Sequence, residues 1–195
     1  MKMNIWIEQK DIAKMDTDCV VNAANSGLRE GTGVCGAIFE AAGRDDLREA
    51  CGKIGGCPTG SAVVTPGFRL KARYIIHAVG PVWSGTDEDR KLLRSCYIES
   101  LERARENGCH SIAFPIISSG VFGCPKDEAW AQAVKGCIEW EEQHPGYEMS
   151  VVFAVRKASM REQGEAVLSR YVDDNLARPV NGKYIPRIID NDCGE

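Results

Sequence analysis

DCVVNAANSGLREGTGVCGAIFEAAG, residues Asp18 to Gly43, opens as an apolar run and closes as a helix face of small residues, with two asparagines and four spaced glycines between. Cys19-Val20-Val21 reads as a buried strand, and Ala37-Ile38-Phe39 with Ala41-Ala42 reads as the packed side of a helix. A strand that opens into a glycine-rich loop and then a helix presents backbone N–H groups. At a helix N-terminus these carry roughly half a positive charge and attract phosphate. The expected ligand is an anion, a nucleotide diphosphate by preference.

Two plainer readings compete. Gly31-x-Gly33-x-x-Gly36 matches the dinucleotide glycine pattern, but that fingerprint must follow its strand almost at once, and here a long gap separates Ala23 from Gly31. A simple turn would use the same residue types. It does not explain Asn22, a polar side chain inside an apolar strand end, and Asn22 joins the expected ligand-binding residues.

Outward from this stretch, Met3-x-Ile5-x-Ile7 alternates as a strand with one buried face. Asp11 follows it and by itself reads as a turn or helix cap. Asp45–Lys53 is expected as a short polar helix ended by Gly55-Gly56, and Ser61–Thr65 and Arg73–Val79 as strands. His77, alone on an apolar background, reads as a satisfied core histidine. Thr86 is the expected N-cap of a helix running to Gly108. Ser111–Ile117 is a continuous apolar strand of the kind covered on both faces. It leads into a second glycine-rich loop, Ser118-Ser119-Gly120-Val121-Phe122-Gly123, before a helix starting near Pro125. Two such loops at the carboxyl ends of neighbouring strands make a cleft lined by N–H donors. Trp130 reads as core, and Met149–Val155 as a last strand of the domain. The strand–helix alternation implies an α/β fold of three layers, α/β/α, with a mixed central sheet.

The chain has 195 residues, formal net charge −4 and 44% hydrophobic residues, enough for one domain with one substantial core. The charge balance argues against non-specific nucleic-acid binding. No apolar run is long enough to span a membrane, and Met1-Lys2-Met3-Asn4 opens into a strand without a signal core, so a cytoplasmic location is expected. The nine cysteines form no Cys-x-x-Cys, and Cys19, Cys96 and Cys137 fall on apolar faces. They read as small buried hydrophobes, with no metal site expected.

Val20-Val21-Asn22-Ala23-Ala24-Asn25-Ser26-Gly27-Leu28, then Gly31-Thr32-Gly33-Val34-Cys35-Gly36, then Tyr74-Ile75-Ile76-His77-Ala78-Val79-Gly80-Pro81, then Ala113-Phe114-Pro115-Ile116-Ile117-Ser118-Ser119-Gly120-Val121-Phe122-Gly123, resemble in order and spacing the motifs of the macrodomain family of ADP-ribose-binding modules. The resemblance spans roughly residues 3–172 and implies a macrodomain over 1–172 with a C-terminal extension over 173–195. Pro179, Asn181-Gly182 and Pro186 suggest that this extension is extended, with Tyr184-Ile185 and Ile188-Ile189 as docking points.

The resemblance also implies roles. Asp11 and Ile12 hold adenine, although Lys10 replaces the family's usual glycine, and Phe153 lies near the aromatic under adenine. The loops containing Gly31, Gly33 and Val34, and Ser118, Ser119, Gly120, Val121 and Phe122, hold the diphosphate. Asn25 fixes the distal ribose and Phe122 covers it. Related hydrolases release mono-ADP-ribose from protein carboxylates or deacetylate O-acetyl-ADP-ribose, and many carry an aspartate and a histidine where this chain has Cys35 and Phe39. A thiol with a pKa near ~8.5 is mostly neutral at pH 7 and a poor base. Alphaviral macrodomains also carry Gly-Val-Cys, and they include active hydrolases. The expected chemistry at Asn25 and Cys35 is therefore attack by a water that the substrate's own phosphate activates. The alternative is a non-catalytic ADP-ribose reader. With only Glu30 after the first loop, poly-ADP-ribose glycohydrolase chemistry is not expected. The expected partner is ADP-ribose or an ADP-ribosylated protein, with no cofactor, metal, membrane or nucleic acid, and the chain is expected to be a monomer.

Overall fold

Residue alternation along the strands sends side chains to two opposite layers, and that alternation sets the architecture. A computed structural model describes residues 3–173, 177–180 and 183–186. The elements are β1 (Asn4–Gln9), β2 (Cys19–Ala24), α1 (Gly33–Ala42), α2 (Arg44–Ile54), β3 (Ala62–Pro66), β4 (Tyr74–Val79), α3 (Asp87–Glu106), β5 (Ser111–Phe114), α4 (Lys126–Gln143), β6 (Ser150–Val155), α5 (Ala158–Asp173), β7 (Ala177–Val180) and β8 (Lys183–Pro186). The strands form one mixed sheet in the order β3-β4-β2-β5-β6-β1-β8-β7. The run β4-β2-β5-β6-β1 is parallel, so these strands end on the same side. β3 joins β4 antiparallel, and the β7–β8 hairpin joins β1 antiparallel with Ile5 opposite Tyr184. The docking expected at Tyr184-Ile185 is thus strand pairing, while Ile188-Ile189 lies outside the described residues.

On one face Cys19, Val21, Ile76, Phe114 and Phe153 pack under α3, α4 and α5 through Tyr97, Trp130 and Trp140. On the other, Val20, Ala24, Ile75 and Val152 pack under α1 and α2 through Ile38, Phe39 and Leu47. This is the expected three-layer arrangement. Thr86 caps α3 in a full capping box with Asp89, and Gly55 ends α2 in the left-handed conformation. β5 stops at Phe114, earlier than the apolar run suggests, because Pro115 has no N–H to donate to a ladder. Among the described residues all eight cysteines are buried and free, and no helix is long and apolar enough to cross a membrane.

His77 is fully buried in β4, directly opposite Asn22 of β2. Thr65 Oγ1 donates to Pro66 O, so it accepts from His77 Nε2 at 2.9 Å. That leaves His77 Nδ1 to accept from Asn22 Nδ2 at 3.1 Å. Burial pushes the His77 pKa down from 6.5 to about 4, so the ring is neutral at pH 7 and this hydrogen-bond chain has one direction. Above the unfolded value both states are neutral and stability is fully present. As pH falls from 6.5 toward the folded value the unfolded state binds more protons and stability is lost. Between pH 7 and pH 5 the parent should therefore lose about 2 kcal/mol more than His77→Gln, at about 1.4 kcal/mol per pH unit. Urea unfolding at the two pH values checks this, and equal losses in both proteins would contradict it.

Candidate functional site

A cavity of about 510 Å3 opens where β1, β2, β5 and β6 end, lined by the segments that follow those strands. In open α/β sheets this is where ligands bind, because the diverging loops leave a crevice.

The first wall is the loop from Asn25 to Thr32 and the start of α1. Asn25 closes the loop on itself: its Nδ2 donates to Arg29 O at 2.8 Å and its Oδ1 accepts from Arg29 N at 2.9 Å. One amide hydrogen and one lone pair remain for a ligand. Leu28 sits at φ 53°, a left-handed position that the Leu28 N to Asn25 O bond of 2.9 Å holds. Glu30 ties the loop to α2 through Arg44 and Arg48. A side chain at Gly36 would meet Gly31 O at 2.7 Å, so that glycine lets the loop lie against the helix. Thr32 provides no side-chain cap; the first N–H groups of α1, at Gly33 and Val34, have no intrahelical acceptor, and both residues line the cavity.

The second wall is the loop from Pro115 to Gly123. Ser118 adopts φ 63°, is buried, and donates from Oγ to Pro81 O at 2.9 Å. Tyr97 of α3 braces the loop from below, accepting from Ile117 N at 2.9 Å and donating to Pro115 O. Ser119 N and Gly123 N bond within the loop, and Cys124 N bonds to Ser118 O. Among the described residues the N–H groups of Gly120, Val121 and Phe122 have no acceptor. Val121 is 91% exposed at the rim.

Asp11 stands at the third wall in two functions at once. As the plain reading expected, it caps the 3-10 turn Ile12–Lys14, its Oδ1 accepting from Ala13 N at 3.0 Å. Its Oδ2 pairs with Arg156 Nη2 at 3.0 Å. Asp11 and Ile12 both line the cavity, as do Asn25, Gly31, Gly33, Val34, Cys35 and Ser118 through Phe122.

Two expected ligand residues do not. Phe153 is fully buried between Tyr97, Phe114 and Trp130; strand alternation turns it into the α3–α5 layer, and Ala154 and Val155 reach the cavity instead. Asn22 is 1% exposed beneath the floor. Its Nδ2 touches Cys35 Sγ at 3.6 Å, so it supports a lining residue. Burial pushes the Cys35 thiol pKa up, and its Sγ donates toward Arg29 O at 3.7 Å. Phe39 is wholly buried in the core. Sequence reasoning missed Arg156 and Lys157, although they directly follow β6 at its carboxyl end, and also Lys126, at the start of α4.

A mixed α/β sheet whose parallel strand ends carry two glycine-rich loops around one crevice defines a domain of the open-sheet α/β class. The chain belongs to the Macro domain family, whose model matches residues 21–133. It is 48% identical over 150 residues to a macro domain-containing protein of Mesorhizobium japonicum, covering 76% of this chain and 84% of that one. It is also 48% identical over 149 residues to a protein of Escherichia fergusonii named O-acetyl-ADP-ribose deacetylase, covering 74% and 84%. Among solved structures it resembles the Oceanobacillus iheyensis macrodomain with ADP, with TM-score 0.81, 36% identity, and 86% and 91% of the chains covered. The Trypanosoma brucei macrodomain in complex with ADP-ribose matches with TM-score 0.77, 36% identity, and 83% and 68% covered.

The close approach of β4 to the second loop is testable. A side chain at Gly80 would meet Ser118 Oγ at 2.3 Å and Ile117 Cγ2 at 2.6 Å, whereas one at Gly120 would meet nothing within 4 Å. Gly80→Ala is expected to destabilise the fold by about 1–3 kcal/mol, and Gly120→Ala by no more than about 0.5 kcal/mol. Denaturant midpoints of the two variants check the contrast.

Proposed function

We propose that this chain binds ADP-ribose in the cavity and hydrolyses mono-ADP-ribosyl esters, either protein aspartate- and glutamate-linked ADP-ribose or O-acetyl-ADP-ribose. The observation that carries the reading is the convergence of the Gly33–Val34 and Gly120–Phe122 amides, none with an internal acceptor, on one cavity. Such a cradle suits a diphosphate, because fixed N–H groups stabilise anionic oxygens without reorganising. The Escherichia fergusonii relative's name and the neighbours solved with ADP and ADP-ribose support it.

Adenine lies against Asp11 and Ile12, the diphosphate between the two loops, and the distal ribose beside Asn25 under Phe122. A water adds to the ester carbonyl as its proton passes to the substrate phosphate; the bond from the carbonyl carbon to the distal-ribose oxygen then breaks, the phosphate returns the proton to that oxygen, and the free carboxylic acid departs. Cys35 supplies neither base nor nucleophile in this scheme. Its thiol is raised by burial, and its nitrogen neighbour, Asn22, is a donor.

The reader alternative has a specific observation in its favour. Among the described residues Asp11 is the one carboxylate lining the cavity, and it is paired with Arg156, so the lining itself offers no unpaired carboxylate as a base. Incubation with aspartate/glutamate-linked mono-ADP-ribosylated protein and with O-acetyl-ADP-ribose decides: released ADP-ribose supports hydrolysis, and binding without release supports the reader.

In the hydrolase reading Cys35→Ala keeps the rate within about tenfold, since less than about 1.4 kcal/mol of transition-state stabilisation is removed. Asn25→Ala should cost about a hundredfold or more, because it opens the loop and misplaces the ribose. A hundredfold loss in Cys35→Ala at unchanged ADP-ribose affinity would make the thiol a participant. Gly120→Glu, which places an anion at the open approach to the second loop, is expected to abolish ADP-ribose binding with the circular dichroism unchanged.

A further inference from the structure

Among the described residues four cationic ones line the cavity, Lys10, Lys126, Arg156 and Lys157, against the single carboxylate of Asp11. The chain as a whole is acidic, with formal net charge −4, so this is a local reversal of sign. Three of the four are gathered on two adjacent strand ends. Lys10 follows β1, Arg156 and Lys157 follow β6, and Lys10 N donates to Val155 O at 2.9 Å, which ties the two ends together. Arg156 is balanced by Asp11. Lys10 and Lys157 are exposed, and among the described residues their side chains have no carboxylate or hydrogen-bond partner.

The sheet order says what would face them. The inference rests on the functional reading above, which puts adenine at the end of β1 and the diphosphate at the ends of β2 and β5. β6 lies between β5 and β1, so the adenosine ribose that joins adenine to diphosphate crosses the end of β6, beside Arg156 and Lys157. In plain ADP-ribose that sugar is uncharged, and the phosphates meet the loop amides on the far side. The surplus cations therefore have no anion to meet in plain ADP-ribose. Lysine ammonium and arginine guanidinium groups are the usual partners of a phosphate dianion, giving short charge-assisted hydrogen bonds. We propose that Lys10 and Lys157, with Arg156, form a subsite for a phosphate monoester on the adenosine ribose, so that the preferred ligand carries one more phosphate than ADP-ribose.

Calorimetry with ADP-ribose and its 2′-phosphate, 3′-phosphate and 1″-phosphate tests this, the three phosphorylated ligands being isomers of equal charge. The parent is expected to bind the 2′- or the 3′-phosphate at least fivefold tighter than ADP-ribose, and which isomer gains tells which hydroxyl faces the cluster. In Lys10→Ala/Lys157→Ala that ratio should fall below twofold, while the ratio for the 1″-phosphate, carried on the other sugar, stays as in the parent. If neither adenosine-side phosphate gains over ADP-ribose, or if the double variant keeps the gain, the inference is overturned and the ADP-ribose reading stands. An equal drop for all three isomers would show general attraction of charge and overturn it as well. Failure of ADP-ribose itself to bind would remove the functional reading and this inference together.

Discussion

Backbone amides with no acceptor of their own are the constraint on which the rest of this structure depends. An N–H without a protein acceptor must find one in water or in a ligand, and the Gly33–Val34 turn and the Gly120–Phe122 segment carry such groups at the cavity, Gly33, Gly120 and Val121 exposed and Val34 and Phe122 half-buried. They can do so because the parallel run β4-β2-β5-β6-β1 ends all its strands on one side. Helices on both faces then force the connecting loops outward around a common crevice.

Holding those amides in place falls to side chains that never meet a ligand. Tyr97 braces the second loop from α3, and Ser118, in a left-handed conformation, locks it to Pro81 through a contact that the missing side chain of Gly80 makes room for. Under the first loop, the chain from Thr65 through His77 to Asn22 ends at Cys35 Sγ. A neutral His77 is what lets that chain run in one direction, with every ring nitrogen used. Asn22 Oδ1 is buried with no partner among the described residues, a local cost of about 1–3 kcal/mol. The bond that turns the Asn22 amide toward Cys35 and His77 is the arrangement the site retains at that cost.

The two loops were legible in the sequence because a glycine-rich turn after an apolar strand has few other uses. The Thr86 cap, the core setting of His77 and Trp130, and the three layers were legible for similar local reasons. What was not legible depended on pairs distant in sequence. Asn22 and His77 are 55 residues apart and meet only through β2–β4 register, so a polar residue in an apolar strand looked like a ligand contact and is a support. Phe153 has the right composition for an adenine platform, but alternation along β6 turns it inward. Asp11 reads as a cap or as an adenine contact, and its ion pair with Arg156, 145 residues away, is visible only in the fold.

The central claim, that these unpartnered amides are the ligand cradle, is tested most directly by following backbone amide resonances during titration with ADP-ribose. The account predicts that the largest saturable shifts fall on Gly33, Val34, Gly120, Val121 and Phe122, with small changes on the buried strands beneath. Saturable binding that leaves these amides unshifted and moves resonances on another face of the domain would contradict it.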